Sequence, residues 1–402
     1  MFPLGARAAR RMLLSPCGCE AFLALTIPRY DDAVALLRSL SGEWGIRAST
    51  SDHANYGAVF ARDAVMAGIA GLLTEDAAVI SGLTHTLGHL RDLQGSEGQI
   101  ASNYLLAEHL APRVSFGTLV PRLDSPLWYL IGIGVSARAG ALDPAPFQHS
   151  VRRVVHLLDA LEYNGRHLLY VPVGGNWADE YIYDGYVLHD QVLRAWGLRL
   201  VADTFDEPSW RTKSASIEAA IVDTFASSSP ARPYPIAALS PTRTHDMFDL
   251  ATCALLGASG IAPALAEPAL DWIDTEFLAR AVLPPAFHPV IDEAHADWPA
   301  LVRYQLHGFR NRPHEYHNGG IWTIWLGWLA LALARTGRPD SGARLEQAMA
   351  AQLSASGGFA FEEFFHGRTG KPGGTTHMAY SATGIIFLRT ATEPAVSALF
   401  TS

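Results

Sequence analysis

The feature that most constrains this chain is a helical periodicity that recurs along its length while alternating, strand-like patterning stays scarce. Apolar residues at helical spacing predict twelve helices, near 30–41, 62–74, 77–93, 126–140, 147–162, 186–203, 208–226, 246–257, 263–279, 320–336, 340–353 and 378–391. Gly-, Pro- and aromatic-rich connections at 42–61, 94–125, 163–185, 227–245, 280–319 and 354–377 are long, and short ones alternate with them. Long connections inside one compact unit are usually functional. Six long connections alternating with five short ones suit six helical hairpins closed in a ring. The expectation is an all-α (α/α)6 barrel with its long loops gathered at one mouth.

Composition agrees with one large closed core. The 402 residues are 49% hydrophobic and 17% charged, so the chain has material for a big interior and no signature of disorder. No Pro/Ser-rich linker or charge run splits it, which predicts a single domain over 28–402 behind a loosely ordered N-terminal arm over 1–27. A net charge of -9 argues against nucleic acid as a partner. The longest later apolar run, 321–334, is too short for a membrane span. The N-terminal apolar stretch is broken by Pro16, Gly18 and Glu20, so the expected compartment is cytoplasmic. Cys17, Cys19 and Cys253 make neither a disulfide framework nor a zinc site, and no HExxH occurs, so no metal is expected. Trp298, taken as exposed, is a candidate interface residue of a homo-oligomer or a mouth residue.

The chemistry concentrates in the long connections. The stretch 171–191 holds Asp179, Glu180, Asp184 and Asp190 among Trp177, Tyr181, Tyr183 and Tyr186. Aromatic faces stack on sugars and exclude water, and a carboxyl in that drier setting holds a proton near neutral pH. The plainer reading is a polar loop whose acids cap the next helix and whose tyrosines pack. Arg62 and Asp63 stand at a helix start, where Asp63 serves either as a cap or as a sugar ligand. Gln99 lies in the second connection, followed by Asp124-Ser125-Pro126, an ordinary N-cap signature, and by Trp128 and Tyr129 on the first turn, where a sugar platform would sit. The segment 243–250 reads as a simple helix start. His317, Asn318 and Trp322 fall in and just after the fifth connection. Glu362 and Glu363, flanked by Phe361, Phe364 and Phe365 and followed by Tyr380, form a second set of carboxylates among rings.

Five segments together resemble the alkaline/neutral invertases, glycoside hydrolase family 100, and more distantly other inverting (α/α)6-barrel α-glucosidases. They are 59–63 (Val-Phe-Ala-Arg-Asp), 121–129, 176–179 (Asn-Trp-Ala-Asp), 316–322 (Tyr-His-Asn-Gly-Gly-Ile-Trp) and 363–384, in the family's order. The resemblance implies an inverting glycosidase with Asp179 as general acid and Glu363 as general base. It also implies that Arg62, Asp63, Asp124, His317 and Asn318 grip the glucosyl hydroxyls. Gln99, Trp128, Trp177, Tyr181, Trp322 and Tyr380 are the remaining candidate substrate contacts, and Tyr181, Trp128 and Trp322 could keep the acid protonated by desolvation. Phe361-Glu362 stands where the family has Trp-Pro, so Glu362 is an alternative base; Glu180 and Asp184 are alternative acids.

The implied substrate is a small α-glucoside, sucrose first and a glucosylated osmolyte or trehalose-like disaccharide second, and the mechanism requires no cofactor. Two other readings stay open. The histidines His245, His288, His295, His307, His314, His317, His366 and His377 suit a sugar 2-epimerase or isomerase barrel. A catalytically silent sugar-binding barrel would keep the same stacking residues.

Overall fold

A computed structural model describes residues 27–400 other than 118, 228, 306 and 307. Nearly all of the expected N-terminal arm, including Cys17 and Cys19, lies outside the described residues, as does His307.

Twelve helices of ten or more residues occur among the described residues. They are α1 (Tyr30–Leu40), α2 (Ala61–Leu73), α3 (Ala77–Asp92), α4 (Asp124–Arg138), α5 (Gln148–Ala160) and α6 (Leu188–Phe205). The second half supplies α7 (Pro208–Phe225), α8 (Leu250–Ser259), α9 (Pro263–Glu276), α10 (Thr323–Arg335), α11 (Pro339–Ala355) and α12 (Ala379–Thr390). The even-numbered helices pack each against the next, and α12 packs against α2 to close the ring. The odd-numbered helices stand outside, with α3 against α2, α7 against α6, α9 against α8, α11 against α10 and α1 against α12. This is the (α/α)6 toroid.

Sequence decides which helix goes inside. The inner helices are apolar all round, as a helix surrounded by protein must be. In α10 every residue from Thr323 to Leu333 is buried, and in α2 all but Arg62 are. An outer helix such as α5 buries only the stripe Ser150, Val151, Val154, Val155 and Leu158. Where α10 and α12 cross, Gly327 meets Gly384 backbone to backbone, and a Cβ on Gly384 would sit 2.2 Å from the Thr323 carbonyl. Only glycine permits that approach. One continuous apolar cluster runs from Ile27 to Phe400.

Every long connection leads from an outer helix into the N-terminal end of an inner one, so all six gather at one mouth. These connections carry short antiparallel pairings that the periodicity does not announce. Val59–Phe60 pairs with Asn103–Leu105, which pairs with Arg113–Ser115. Tyr186–Val187 pairs with Ala238–Ser240, and Phe248–Asp249 with Phe287–His288. These pairings move two helix starts. Helix α6 begins at Leu188, after the Tyr186–Val187 strand, and α8 begins at Leu250, four residues later than its apolar pattern suggests. There Asp249 ends a strand and caps the helix through the Thr252 amide and hydroxyl. Short helices at Trp298–Leu301 and Pro394–Phe400 also have no counterpart in the periodicity. Trp298 is not exposed as expected; its ring meets Phe309 edge-on against the core. No described helix is long and apolar enough to cross a membrane.

Candidate active site

The first turns of inner helices point their unpaired N–H groups at the mouth, which favours carboxylates there. Asp63 sits in the first turn of α2 and Asp124 opens α4. Between them Arg62 donates from Nη1 to Oδ2 of Asp124 at 2.5 Å and places Nε 3.5 Å from Oδ2 of Asp63. Neither Arg62 Nε nor Asp63 Oδ2 makes a hydrogen bond within the protein, although both are buried. Burial pushes the Asp63 carboxyl up to about 6; Arg62 opposes the rise and Asp124 adds to it.

These residues border a cavity of about 640 Å³ at the mouth. Asp179 reaches it from the 161–187 connection, which Asn176 fixes from within. The Asn176 side-chain carbonyl accepts from the Ala178 amide, and its amide donates to the Tyr183 hydroxyl and to Asp190 beneath. Asp190 is fully buried, and burial holds its carboxyl well above the usual range. Burial pushes Asp179 up as well, but Arg122 donates from Nη2 to its Oδ2 at 2.7 Å. With His317, Arg62 and Arg310 acting in the same direction, the outcome is a carboxyl below its ordinary value.

Glu363 reaches the cavity from the opposite flank of the chain, between Phe361, whose φ of 57° is rare for a residue with a side chain, and the Phe364–Phe365 strand paired with Pro372–Gly373. The Tyr56 hydroxyl donates to Oε1 at 2.7 Å and the Thr375 amide to Oε2 at 2.9 Å. Burial and then the neighbouring Asp179 push the Glu363 carboxyl up, and the two donors and Arg310 restrain the rise. Gly374, with φ of 85°, lies so close that a Cβ there would sit 2.4 Å from Oε2.

The candidates therefore divide. Arg62, Asp63, Asp124, Asp179 and Glu363 line the cavity together. Trp177, Tyr181, His317 and Trp322 form a packed aromatic layer and do not line it. Trp177 stacks on Phe287 and meets His317 edge-on at 5.0 Å; Tyr181 stacks on Phe287 at 4.2 Å; His317 stacks on Trp322 at 5.4 Å. Burial holds His317 down to about 3, so its ring is neutral. Tyr380 lies below the Arg62 guanidinium, 5.7 Å from ring centroid to Cζ.

Three expected sugar contacts fall elsewhere. Asn318 is fully buried: it accepts from the Ile291 amide and donates to the Ile291 and Asn311 carbonyls, so it ties two loops together. Trp128 is swallowed by the barrel interior against Trp196 and Trp328, one turn further in than Asp124 and Ser125, which do line the cavity. Gln99 closes the 95–99 turn on itself through the Glu97 amide. Of the alternatives, Glu180 pairs with Arg310, Asp184 faces His245 at 3.6 Å, and Glu362 accepts from the Ala360 amide; none of the three borders the cavity.

Sequence reasoning missed Tyr56, Arg122 and Arg310. All three line the cavity, and Arg310 also lies over Tyr316 at 4.3 Å. Tyr56 and Arg122 fall inside or beside segments that already draw notice, whereas Arg310 sits in a stretch without pattern. Among the described histidines weighed for an isomerase, none borders the cavity; His53 does. No group of three or more metal-ligating side chains occurs among the described residues.

No family model matches the chain, and no curated protein matches it in sequence. Its likeness is to solved structures. A GH63 mannosylglycerate hydrolase from Thermus thermophilus, in complex with Tris, superposes with a TM-score of 0.64 at 13% identity, over 90% of this chain and 99% of that one. A rhamnosidase from Klebsiella oxytoca with rhamnose bound gives 0.62 at 13% identity, over 93% of this chain and 66% of that one. A wild-type glycosidase gives 0.62 at 15% identity, over 93% and 99%. At such identities the likeness shows a shared fold, the (α/α)6 toroid.

Proposed function

We propose that the chain is an inverting glycoside hydrolase acting on a small α-glucoside, with Asp179 as general acid and Glu363 as general base. The observation that carries this reading is that the two carboxyls, from connections far apart in sequence, border one cavity together with Asp63, Asp124, three arginines and several hydroxyl and amide side chains. The ordered resemblance to invertases and the fold shared with named glycosidases support it.

Inversion requires an acid that protonates the leaving oxygen and a base that activates water on the opposite ring face, with the carboxyls ~6.5–9.5 Å apart. Glu363 suits the base. Both of its oxygens accept hydrogen bonds from donors, which favours the carboxylate, while its raised pKa makes it a better proton acceptor. It is preferred to Glu362, whose carboxylate is turned to backbone. Arg62, Asp63 and Asp124, ion-paired with one another, put guanidinium and carboxylate groups on the cavity wall, the donors and acceptors that vicinal hydroxyls match. Sucrose and glucosylated osmolytes are the substrates to try first; the neighbour named for mannosylglycerate supports a hexoside with a small aglycone. No cofactor enters this mechanism.

The test is direct. Asp179→Asn and Glu363→Gln should each lower kcat by about 10²–10⁴ while circular dichroism and the melting transition stay at the wild-type values. Near-full activity in either variant removes that residue from its role.

A further inference from the structure

Exposed apolar side chains gather on one stretch of the mouth. Nine large hydrophobic residues stand exposed among the described residues, and seven of them lie on two connections, 93–123 and 161–187. Exposed apolar residues scattered singly need no explanation, whereas a cluster marks a binding surface. The two connections meet beside Asp179. The Leu123 amide donates to the Gly175 carbonyl at 2.8 Å, and a Cβ on Gly174 would sit 3.4 Å from Cγ2 of Val120 and 3.0 Å from the Asp179 carbonyl. The Arg122 amide donates to the Phe116 carbonyl at 3.2 Å, and the Arg122 guanidinium holds the Asp179 carboxylate. Between Phe116 and Arg122, Gly117 turns the chain at φ of 129° and lines the cavity. Phe116, Leu119 and Val173, exposed by 37%, 77% and 39%, therefore stand just outside the cavity on its Asp179 side. Around Glu363 the cavity is bordered instead by polar residues, Tyr56, Thr375 and Thr376.

We propose that the aglycone is a neutral alcohol with an apolar arm, and that the arm leaves the cavity past Asp179 to lie on Phe116, Leu119 and Val173. This rests on the assignment of Asp179 as the acid. An acid must face the glycosidic oxygen that it protonates, so the aglycone runs outward from that contact, on the side away from the sugar. The wall it meets first is polar, made by Asp179 and Arg122, and the surface beyond is apolar. The head of such an aglycone is a small neutral polyol, as in glucosylglycerol, and the arm extends it. Covering the three side chains removes apolar area from water, with a gain that grows with the area covered. A short alkyl ether of glucosylglycerol has this build: glucose and glycerol occupy the cavity, and the alkyl group reaches the surface outside. An anionic membrane is disfavoured as the occupant by the net charge of -9.

The experiment compares α-glucosylglycerol with its hexyl ether, in the wild type and in the double variant Leu119→Ser, Val173→Ser. The wild type should favour the ether in kcat/KM by ~10- to 100-fold, because full burial of one methylene is worth a factor of ~4 and an open surface covers each on one side only. The double variant should bring the two substrates to within about 3-fold of each other and leave the rate on glucosylglycerol unchanged; Leu119→Ser alone should remove part of the preference. Equal kcat/KM on both substrates in the wild type, or a preference that survives the double variant, overturns the proposal and leaves the hydrolase standing. Calorimetric titration with the free hexyl ether of glycerol separates the two claims. Saturable binding weakened in the double variant upholds the apolar subsite even if neither glucoside is cleaved, in which case the hydrolase reading fails. Cleavage of glucosylglycerol with no binding of the free ether overturns the subsite alone. A wild-type dimer in sedimentation velocity that the double variant dissociates, with equal rates on both substrates, assigns the surface to a second copy of the chain and also overturns the proposal.

Discussion

The Tyr56 hydroxyl donates to Oε1 of Glu363 at 2.7 Å, joining residues 307 positions apart in the chain. The ring closes at that point: Tyr56 precedes the first inner helix and Glu363 the last. The bond fixes the carboxylate and, by favouring its charged form, restrains the rise that burial imposes.

Tyr56→Phe should therefore lower kcat/KM by about 10-fold, ~1.4 kcal/mol, and move the acid limb of its pH profile upward. The sign follows from the loss of a donor to the carboxylate: Glu363 rises further, so the base is protonated at higher pH than in the wild type. The profile of kcat/KM against pH checks it; an acid limb displaced downward contradicts the assignment of Glu363 as base.

Asp63 links activity to stability. Its carboxyl stands at about 6 in the fold against an ordinary 3.8, because burial outweighs Arg62 and Asp124 adds to the rise. A carboxyl raised in the folded state favours folding while protonated and costs stability as pH climbs from about 4 to 6. Asp63→Asn should consequently raise stability at pH 7, by at most ~3 kcal/mol at about 1.36 kcal/mol per unit, while lowering activity. Thermal unfolding at pH 4 and pH 7 decides it: the gain belongs at pH 7 and vanishes near pH 4. A variant less stable than wild type at pH 7 contradicts the cost assigned to the buried Asp63 charge.

Asn318 and Trp128 separate scaffold from site. Asn318→Ala orphans the buried Ile291 amide and carbonyl, costing roughly 2–4 kcal/mol, and Trp128→Ala opens a core cavity, costing ~3–5 kcal/mol. Denaturant melts measure both losses. At temperatures where the variants remain folded, KM should stay within a few-fold of wild type; a KM defect without a stability defect would return these side chains to the sugar.

Much of the fold was legible in the sequence because an inner helix of a toroid is apolar on every side. The runs in α10 and α12 announce themselves, and long connections fall where the mouth must be. The strands at 186–187 and 248–249 were not legible, since two-residue pairings carry no period and are set by the loop opposite. At the site, Arg62, Asp63 and Asp124 could be found because helix starts are recognisable and charge there is rare. The motif around 316–322 misled in part. Its specificity reflects a loop lock, with Asn318 holding Ile291 and the Trp322 indole donating to the Tyr316 carbonyl at 2.9 Å. A motif's rarity does not distinguish a residue that binds from one that builds. Arg122 and Arg310 become visible only through their partners, Asp179 and Glu180, and no spacing rule connects residues 57 and 130 positions apart.

The central claim is inversion by Asp179 and Glu363, and proton NMR of the reducing sugar as it forms tests it most directly. The panel should hold sucrose and glucosylglycerol, each of which releases a single glucose. Inversion predicts that the β-anomer appears first from an α-linked substrate and equilibrates with the α-anomer only later. Release of the α-anomer first would contradict it, because retention requires a nucleophile where Glu363 is assigned as a base.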